Sequence, residues 1–368
     1  MASYLSALGV LFQPVNFIMM YICSLVGCVL GAIPGLSGGL GITLILPMTF
    51  ALNTNLSFAM LLGMYVGGVS GSFIAAVLVG IPGSAASIGT CYDGYPMTQK
   101  GQAARALSIG ITGSFIGTLV SILVATFCST FIADIALKLG PWEYFSLCLM
   151  AITMVVGLSN GSVFKGLLAA FFGLWLSTVG SDMVTNQLRF TFHNTNLYGG
   201  INVVCLLMGT FSLQQVASSY AKNNLTMPEV DAGSLKGFGF SFKDFKDNLK
   251  VILTSLFIGL WIGFLPGMGS GISNLIAYGQ AKKMSKHPEK FGTGIDEGLW
   301  ATEVANNAGV GGAIIPMIAL GIPGDATTVL LMSAMTIHGL QAGPMFIKNN
   351  PLLANLIFAT VLISAILI

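Results

Sequence analysis

The sequence predicts an all-α polytopic membrane protein made of two inverted-topology repeats, each with a re-entrant or broken hairpin and a Pro-Gly-interrupted helix. Three observations carry that expectation. The chain is 54% hydrophobic and 8% charged, with mean hydropathy +0.85, whereas soluble domains are about 25% charged. No Asp, Glu, Lys, Arg or His precedes Asp93. Two Pro-Gly breaks recur in the same order. The first copy reads Gly31-Ala32-Ile33-Pro34-Gly35, then Gly80-Ile81-Pro82-Gly83; the second reads Gly263-Phe264-Leu265-Pro266-Gly267, then Gly321-Ile322-Pro323-Gly324. A helix loses hydrogen bonds at Pro and rigidity at Gly, so lipid tolerates such breaks where the freed backbone is buried or lines a site. Repeated halves with interrupted helices are the mark of a secondary transporter.

Other classes fit poorly. The apolar runs are continuous, without the ~10-residue alternating segments of a membrane β-barrel. No basic stretch precedes the first apolar run, so no signal peptide is expected. The 47 glycines favour close helix packing. Cys23, Cys28, Cys91, Cys128, Cys148 and Cys205 form no CxxC pair and read as small hydrophobes. Net charge is +2 with no basic tail, which gives no reason to expect nucleic acid. The last apolar run, from Pro351, reads as a protein cut short.

The first repeat is expected over residues 1–140. Its hairpin has arms at 15–33 and 41–52 around a tip at 34–39, and the first arm is long enough to span. A span at 56–81 ends in the break 80–84, and another follows at 106–133. Residues 141–222 hold connecting membrane helices at 142–158, 163–180 and 199–217. Residues 223–250 form a cytoplasmic linker with a surface helix at 242–249. The second repeat, 251–368, has arms at 251–265 and 272–281 around a tip at 266–271. At ~1.5 Å per residue those arms reach about 22 and 15 Å, short of a ~30 Å hydrocarbon core, so that hairpin re-enters with its tip at mid-membrane. A span at 308–337 is broken at 321–325 into half-helices of about 13 residues, and a last span starts near 352.

Loop charge sets the orientation. Lys222, Lys236, Lys243, Lys246 and Lys250 precede the second hairpin, and Lys282, Lys283, Lys286 and Lys290 follow it, so its base is cytoplasmic. The base of the first hairpin (1–14 and 53–57) is uncharged and is placed outside. The crossings between them are odd in number, so the repeats are inverted. Lys100, Arg105 and Lys165 then fall inside, and Lys138, Arg189 and Lys348 outside. Trp142, Trp175 and Trp261 read as interfacial anchors.

Both tips present consecutive backbone N–H groups, and the short helix after each aims its positive end at the same spot, an arrangement that suits a carboxylate. The candidate substrate residues are Pro34, Gly35, Ser37, Gly38, Pro266, Gly267, Gly269, Ser270, Ser273 and Asn274, with Asn306 and Asn307 at the mouth of the broken span. Ser84, Ser87, Asp325, Thr327 and Thr328 follow the two breaks and, with unwound carbonyls, supply oxygen ligands for a coupling ion, Na⁺ or H⁺. Asp325 alone is ionisable in the middle of a predicted span; it is an ion site, or an N-cap accepting the Thr327 or Thr328 N–H. Asp93 and His338, each followed by Gly just past a break, read as end-of-helix caps. Asp296, Glu297 and Glu303 form an acidic helical face expected to be solvated or interfacial. His193 and His287 fall in loops, and no HExxH, Cys–His or Ser–Lys set assembles, so neither enzyme activity nor a cofactor is expected.

The motifs Ile81-Pro-Gly-Ser-Ala-Ala-Ser87, Asp93-Gly-Tyr-Pro-Met97, Lys286-His-Pro-Glu-Lys-Phe-Gly292, Glu303-Val-Ala-Asn-Asn-Ala308 and Gly321-Ile-Pro-Gly-Asp-Ala-Thr-Thr328 together resemble the TctA family, the large membrane subunit of tripartite tricarboxylate transporters. The resemblance covers nearly the whole chain, most strongly residues 25–110 and 255–345. It implies a bacterial cytoplasmic (inner) membrane protein that, with a small four-helix TctB-like subunit, receives a di- or tricarboxylate from a periplasmic TctC-like binding protein. Uptake would be driven by a cation gradient, and a homodimer is a further partner expectation. It also implies that Pro34-Gly35 and Pro266-Gly267 form substrate-facing tips, with Asn306, Asn307, Thr327 and Thr328 close by. Two positions depart from the family pattern: Gly80 stands where Asn is expected, and Asp325 where a small residue such as Ser is expected. A stand-alone cation-coupled anion carrier, working without a binding protein, is the alternative.

Overall fold

Backbone groups removed from water must pair within their own segment, and long apolar runs do this as helices. The computed structural model describes residues 2–34, 36–157, 162–181, 187–201, 205–206, 209–210, 217 and 239–368. Gly35, Lys222, Lys236, most of the expected span 199–217 and linker residues 223–238 lie outside the described residues. Among the described residues regular structure is helical apart from one short antiparallel pair, β1 (Gly180–Ser181) with β2 (Leu188–Arg189), which hydropathy does not signal.

In chain order the first half holds α1 (Ala2–Leu11), α2 (Pro14–Ala32), α3 (Gly38–Ile45), α4 (Thr54–Val79), α5 (Ile88–Gln99) and α6 (Ala103–Ala136). Helices α7 (Pro141–Gly157) and α8 (Val163–Ser177) follow. The second half holds α9 (Phe242–Asp247), α10 (Leu249–Phe264), α11 (Gly269–Met284), α12 (Asp296–Leu320), α13 (Ala326–Ile337), α14 (Pro344–Asn349) and α15 (Pro351–Leu367). Local chemistry sets the starts. Pro14, Pro344 and Pro351 open their helices, where a missing N–H costs nothing. Ser37 and Asn53 cap α3 and α4 through their side chains. The spans expected from hydropathy at 56–81, 106–133, 142–158 and 163–180 appear as α4, α6, α7 and α8, and the expected surface helix as α9. Helix α12 begins at Asp296 rather than at 308, because Asp296, Glu297 and Glu303 depress hydropathy without interrupting the helix.

Among the described residues α2, α4 and α6 are long and apolar enough to cross a membrane. Helices α10 and α11 have 16 residues each, about 24 Å at 1.5 Å per residue. One series of elements occurs twice: a helix, a Pro-Gly tip, a second helix, then a longer helix ending in a Pro-Gly break. In the first half α2 packs along α4, and in the second α10 packs along α12. Both contacts require glycine. A Cβ on Gly67 of α4 would overlap the Ser24 carbonyl of α2, and one on Gly263 of α10 would lie 2.7 Å from the Gly309 carbonyl of α12.

Helix α12 is the axis of the bundle, buried from Gly298 to Ala319 between α6 and the α10–α11 pair. Its C-terminal half belongs to an apolar cluster with α2, α4, α13 and α15, and its N-terminal half to one with α6, α10 and α11. Helix α6 carries charge only at its ends. Near its start Arg105 pairs with Asp296 and, at 3.2 Å, with Asp244; near its finish Asp134 meets Lys348 at 3.2 Å. No residue of α8 is buried, and α7 and α8 expose Trp142, Phe145, Phe164, Phe171 and Phe172.

Candidate functional site

The two breaks have the same construction. Helix α4 ends at Gly80 (φ +69°) and α12 at Gly321 (φ +72°), left-handed positions that favour glycine. An Ile-Pro-Gly segment follows, then a capping box. At the first, Ser84 Oγ accepts from the Ala86 N–H at 3.3 Å, and Ser87 Oγ accepts from the Ser84 N–H at 3.4 Å. At the second, Asp325 Oδ1 accepts from the Thr328 N–H at 2.7 Å, and Thr328 Oγ1 accepts from the Asp325 N–H at 2.9 Å. Of the two readings of Asp325, the N-cap geometry is present, with Thr328 rather than Thr327 as donor. The other carboxylate oxygen, Oδ2, accepts from the Tyr65 hydroxyl at 2.8 Å.

Both tips and both breaks meet around one cavity of about 330 Å³. Ser37, Gly38 and Gly39 come from the first tip and Gly267, Met268, Gly269, Ser270 and Gly271 from the second. Ser84, Ala85 and Ala86 come from the first break and Asp325, Ala326 and Thr327 from the second, with Tyr65, Gly68 and Val69 of α4 completing the wall. The segments are in close approach. A Cβ on Gly271 would lie 3.5 Å from that of Ala85, one on Gly269 2.7 Å from that of Asp325, and one on Gly39 3.9 Å from Thr327 Oγ1. The N-terminal ends of α3, α11 and α13 therefore converge on this space. Unpaired N–H groups and the positive ends of helix dipoles favour an anion there. Asp325 sets a carboxylate on one wall, where the matching position of the first break carries the neutral Ser84.

The other candidates sit behind this lining. Pro34 and Pro266 shape the turns, and Gly35 lies outside the described residues. Ser87 and Thr328 are buried in their caps. Ser273 is buried, its Oγ 3.1 Å from the carbonyls of Ser270 and Ala305. Asn274 is buried and ties the second tip to the first break. Its Oδ1 accepts from the Gly89 N–H at 3.3 Å, and its Nδ2 lies 2.7 Å from the Ala86 carbonyl and 3.1 Å from that of Ser270. Asn306 and Asn307 are buried in α12. Asn307 donates to Ser114 Oγ at 2.9 Å and accepts from Ser70 at 3.3 Å and Thr118 at 3.4 Å.

Three acidic or phenolic residues take places that sequence reasoning did not give them. Glu303, expected at a solvated or interfacial face, is fully buried and accepts from the hydroxyls of Thr90 and Ser114. Its one-turn neighbours on α12, Leu299, Trp300, Asn306 and Asn307, carry no charge, which is the signal of a covered face. Asp93, expected as an end-of-helix cap, lies within α5. Its Oδ1 accepts from the N–H groups of Gly292, Gly294 and Ile295 at 2.8–3.1 Å, which fixes the α11–α12 loop to α5. Tyr65 is an aromatic residue inside an apolar run, which gives no sign of its acidic partner Asp325. His338 is the C-cap of α13, as expected. Among the described residues no group of three or more His, Cys, Asp and Glu is arranged to hold a metal.

A family model described as "Tripartite tricarboxylate transporter TctA family" matches residues 17–368. The chain is similar to an uncharacterised 52.8 kDa protein in the TAR-I ttuC' 3' region of Agrobacterium vitis. They are 34% identical over 355 residues, which is 96% of this chain and 70% of that protein. It is also similar to an uncharacterised protein in the TAR-II ttuC' 3' region of the same organism, 36% identical over 110 residues, covering 30% of this chain and 46% of that protein. No solved structure matches.

Proposed function

Because the chain belongs to the tripartite tricarboxylate transporter TctA family, we propose that it is the substrate-translocating membrane subunit of a cation-coupled importer of di- and tricarboxylates. The observation that carries the reading is the single cavity lined by both tips and both breaks. Its backbone N–H groups and helix ends suit a carboxylate, and Ser37 and Ser270 add hydroxyls beside them. Ser84, Asp325 and Thr327 face the same space and are the residues that bring a cation, Na⁺ or H⁺, next to the substrate, while Ser87 and Thr328 hold the caps.

The two halves act as inverted repeats in the bacterial cytoplasmic membrane, each with a re-entrant or broken hairpin. Support comes from the recurrence of the element series and from the short α10 and α11 arms. Movement of the tips and breaks against α4 and α12 would open the cavity to each side in turn. A periplasmic binding protein delivers the substrate, and a small membrane subunit covers part of the apolar exterior, where α7 and α8 expose aromatic residues.

Uptake of labelled carboxylate into vesicles carrying the chain with its binding protein tests this. Wild-type vesicles are expected to accumulate substrate under an inward cation gradient, and Asp325→Ala vesicles to lose the cation dependence. Cation dependence that survives in Asp325→Ala would remove that residue from coupling. Uptake that needs no binding protein would favour a stand-alone carrier.

A further inference from the structure

We propose that the buried cluster around Glu303 is a sodium site, separate from the substrate cavity. Glu303 is fully buried at the core of α12, and no ion pair among the described residues reaches it. A lone carboxylate in such surroundings is strongly disfavoured unless a cation joins it or it takes up a proton. Oxygen atoms from three helices gather beside it. Thr90 Oγ1 bonds to Oε1 and lies 3.2 Å from Thr302 Oγ1, and Ser114 Oγ lies 3.5 Å from Oε2. One turn along α12, Asn306 is fully buried, its amide stands beside the Glu303 carboxylate, and its carbonyl oxygen Oδ1 has no hydrogen-bond partner.

One carboxylate, three hydroxyls and an unpaired amide carbonyl make a hard-oxygen set with a single negative charge. Such a set suits a monovalent cation, since divalent ions draw on more carboxylates. A proton needs one acceptor. Hydroxyls on three helices and an unpaired amide carbonyl exceed that need and match the shell of a small metal ion. Buried polar groups left unpaired also call for a partner.

The site connects to the cavity through a short stretch of chain. Ala85 and Ala86 line the cavity, Asn274 bonds to Ala86 and Gly89, and Thr90 bonds to Glu303. Fixing either end of this stretch orders the other, so sodium and substrate strengthen each other's binding by the same factor. That coupling rests on the transport reading; sodium binding at Glu303 does not.

The test is thermal unfolding of the full purified chain in detergent, with NaCl replacing choline chloride at constant ionic strength. Wild type and Glu289→Gln, an exposed acid outside the cluster, are expected to gain melting temperature with sodium. Glu303→Gln is expected to lose the response, and Asn306→Ala to need at least about tenfold more sodium for it. Asn306→Ala leaves no unmatched charge, so it carries the test if Glu303→Gln does not fold. A sodium response unchanged in either variant, or absent from wild type, overturns the site. Labelled carboxylate uptake is measured in parallel. No uptake, with a Glu303-dependent sodium response intact, overturns the transport reading and leaves the site standing.

Discussion

Tyr65 and Asp325, 260 positions apart in the chain, meet at the cavity wall, where the phenol donates to the carboxylate across 2.8 Å. Tyr65 belongs to the long helix of the first half and Asp325 to the break of the second, so the bond joins the halves beside the cavity. A hydrogen bond to a charged group contributes about 1.5–3 kcal/mol. Tyr65→Phe is expected to lower the melting temperature and to weaken carboxylate uptake by about tenfold or more. Wild-type uptake and melting in Tyr65→Phe would show the contact to be incidental.

Asn274 faces two segments at once. Truncating it to Ala leaves the Gly89 N–H without its acceptor, at about 1–3 kcal/mol. Asn274→Asp is expected to be worse than Ala, because its second oxygen would face the carbonyls of Ala86 and Ser270. Melting temperatures of the two variants decide it, and Asp more stable than Ala would contradict the bonding described.

Gly321 closes α12 with a positive φ. Any side chain there brings its Cβ to 2.9 Å from the Ala342 carbonyl, so Ala and Asn share that clash. They differ in the left-handed strain, about 1–2 kcal/mol for Ala and less for Asn. Gly321→Asn is expected to unfold at a higher temperature than Gly321→Ala; the reverse order would show that the clash, not backbone conformation, dominates.

On the polar side of the bundle the Asp244 carboxyl is held below its usual range, first by the Ser241 N–H and then by the Arg105 guanidinium. A depressed carboxyl stabilises the fold above its unfolded-state pKa, and that contribution disappears as pH falls through the folded-state value. Asp244→Asn is therefore expected to melt below wild type at neutral pH and to converge with it in acid. A gap that persists in acid would mean that the loss is steric.

Much of this architecture was legible in the chain. The runs that became α4, α6, α7 and α8 were marked by hydropathy, and the residues beside each Pro-Gly pair led to the segments that meet at the cavity. What escaped was set by tertiary partners. Glu303 looked solvated because periodicity places an acid on a face without saying what covers that face, and here Thr90 and Ser114 cover it. Asp93 looked like a cap because Gly94 follows it, yet its acceptors answer a loop about 200 residues away. Asn274 was marked as polar and near a tip, and only the fold shows that its amide faces inward to carbonyls.

Ser84 and Asp325 occupy matching places, one neutral and one acidic, on the rim of the same chamber. The chamber therefore has a head and a tail. A guest with one charged and one neutral end would lie lowest in energy with its charged end turned away from Asp325. One residue's difference between two similarly built breaks thus makes the chamber electrostatically lopsided.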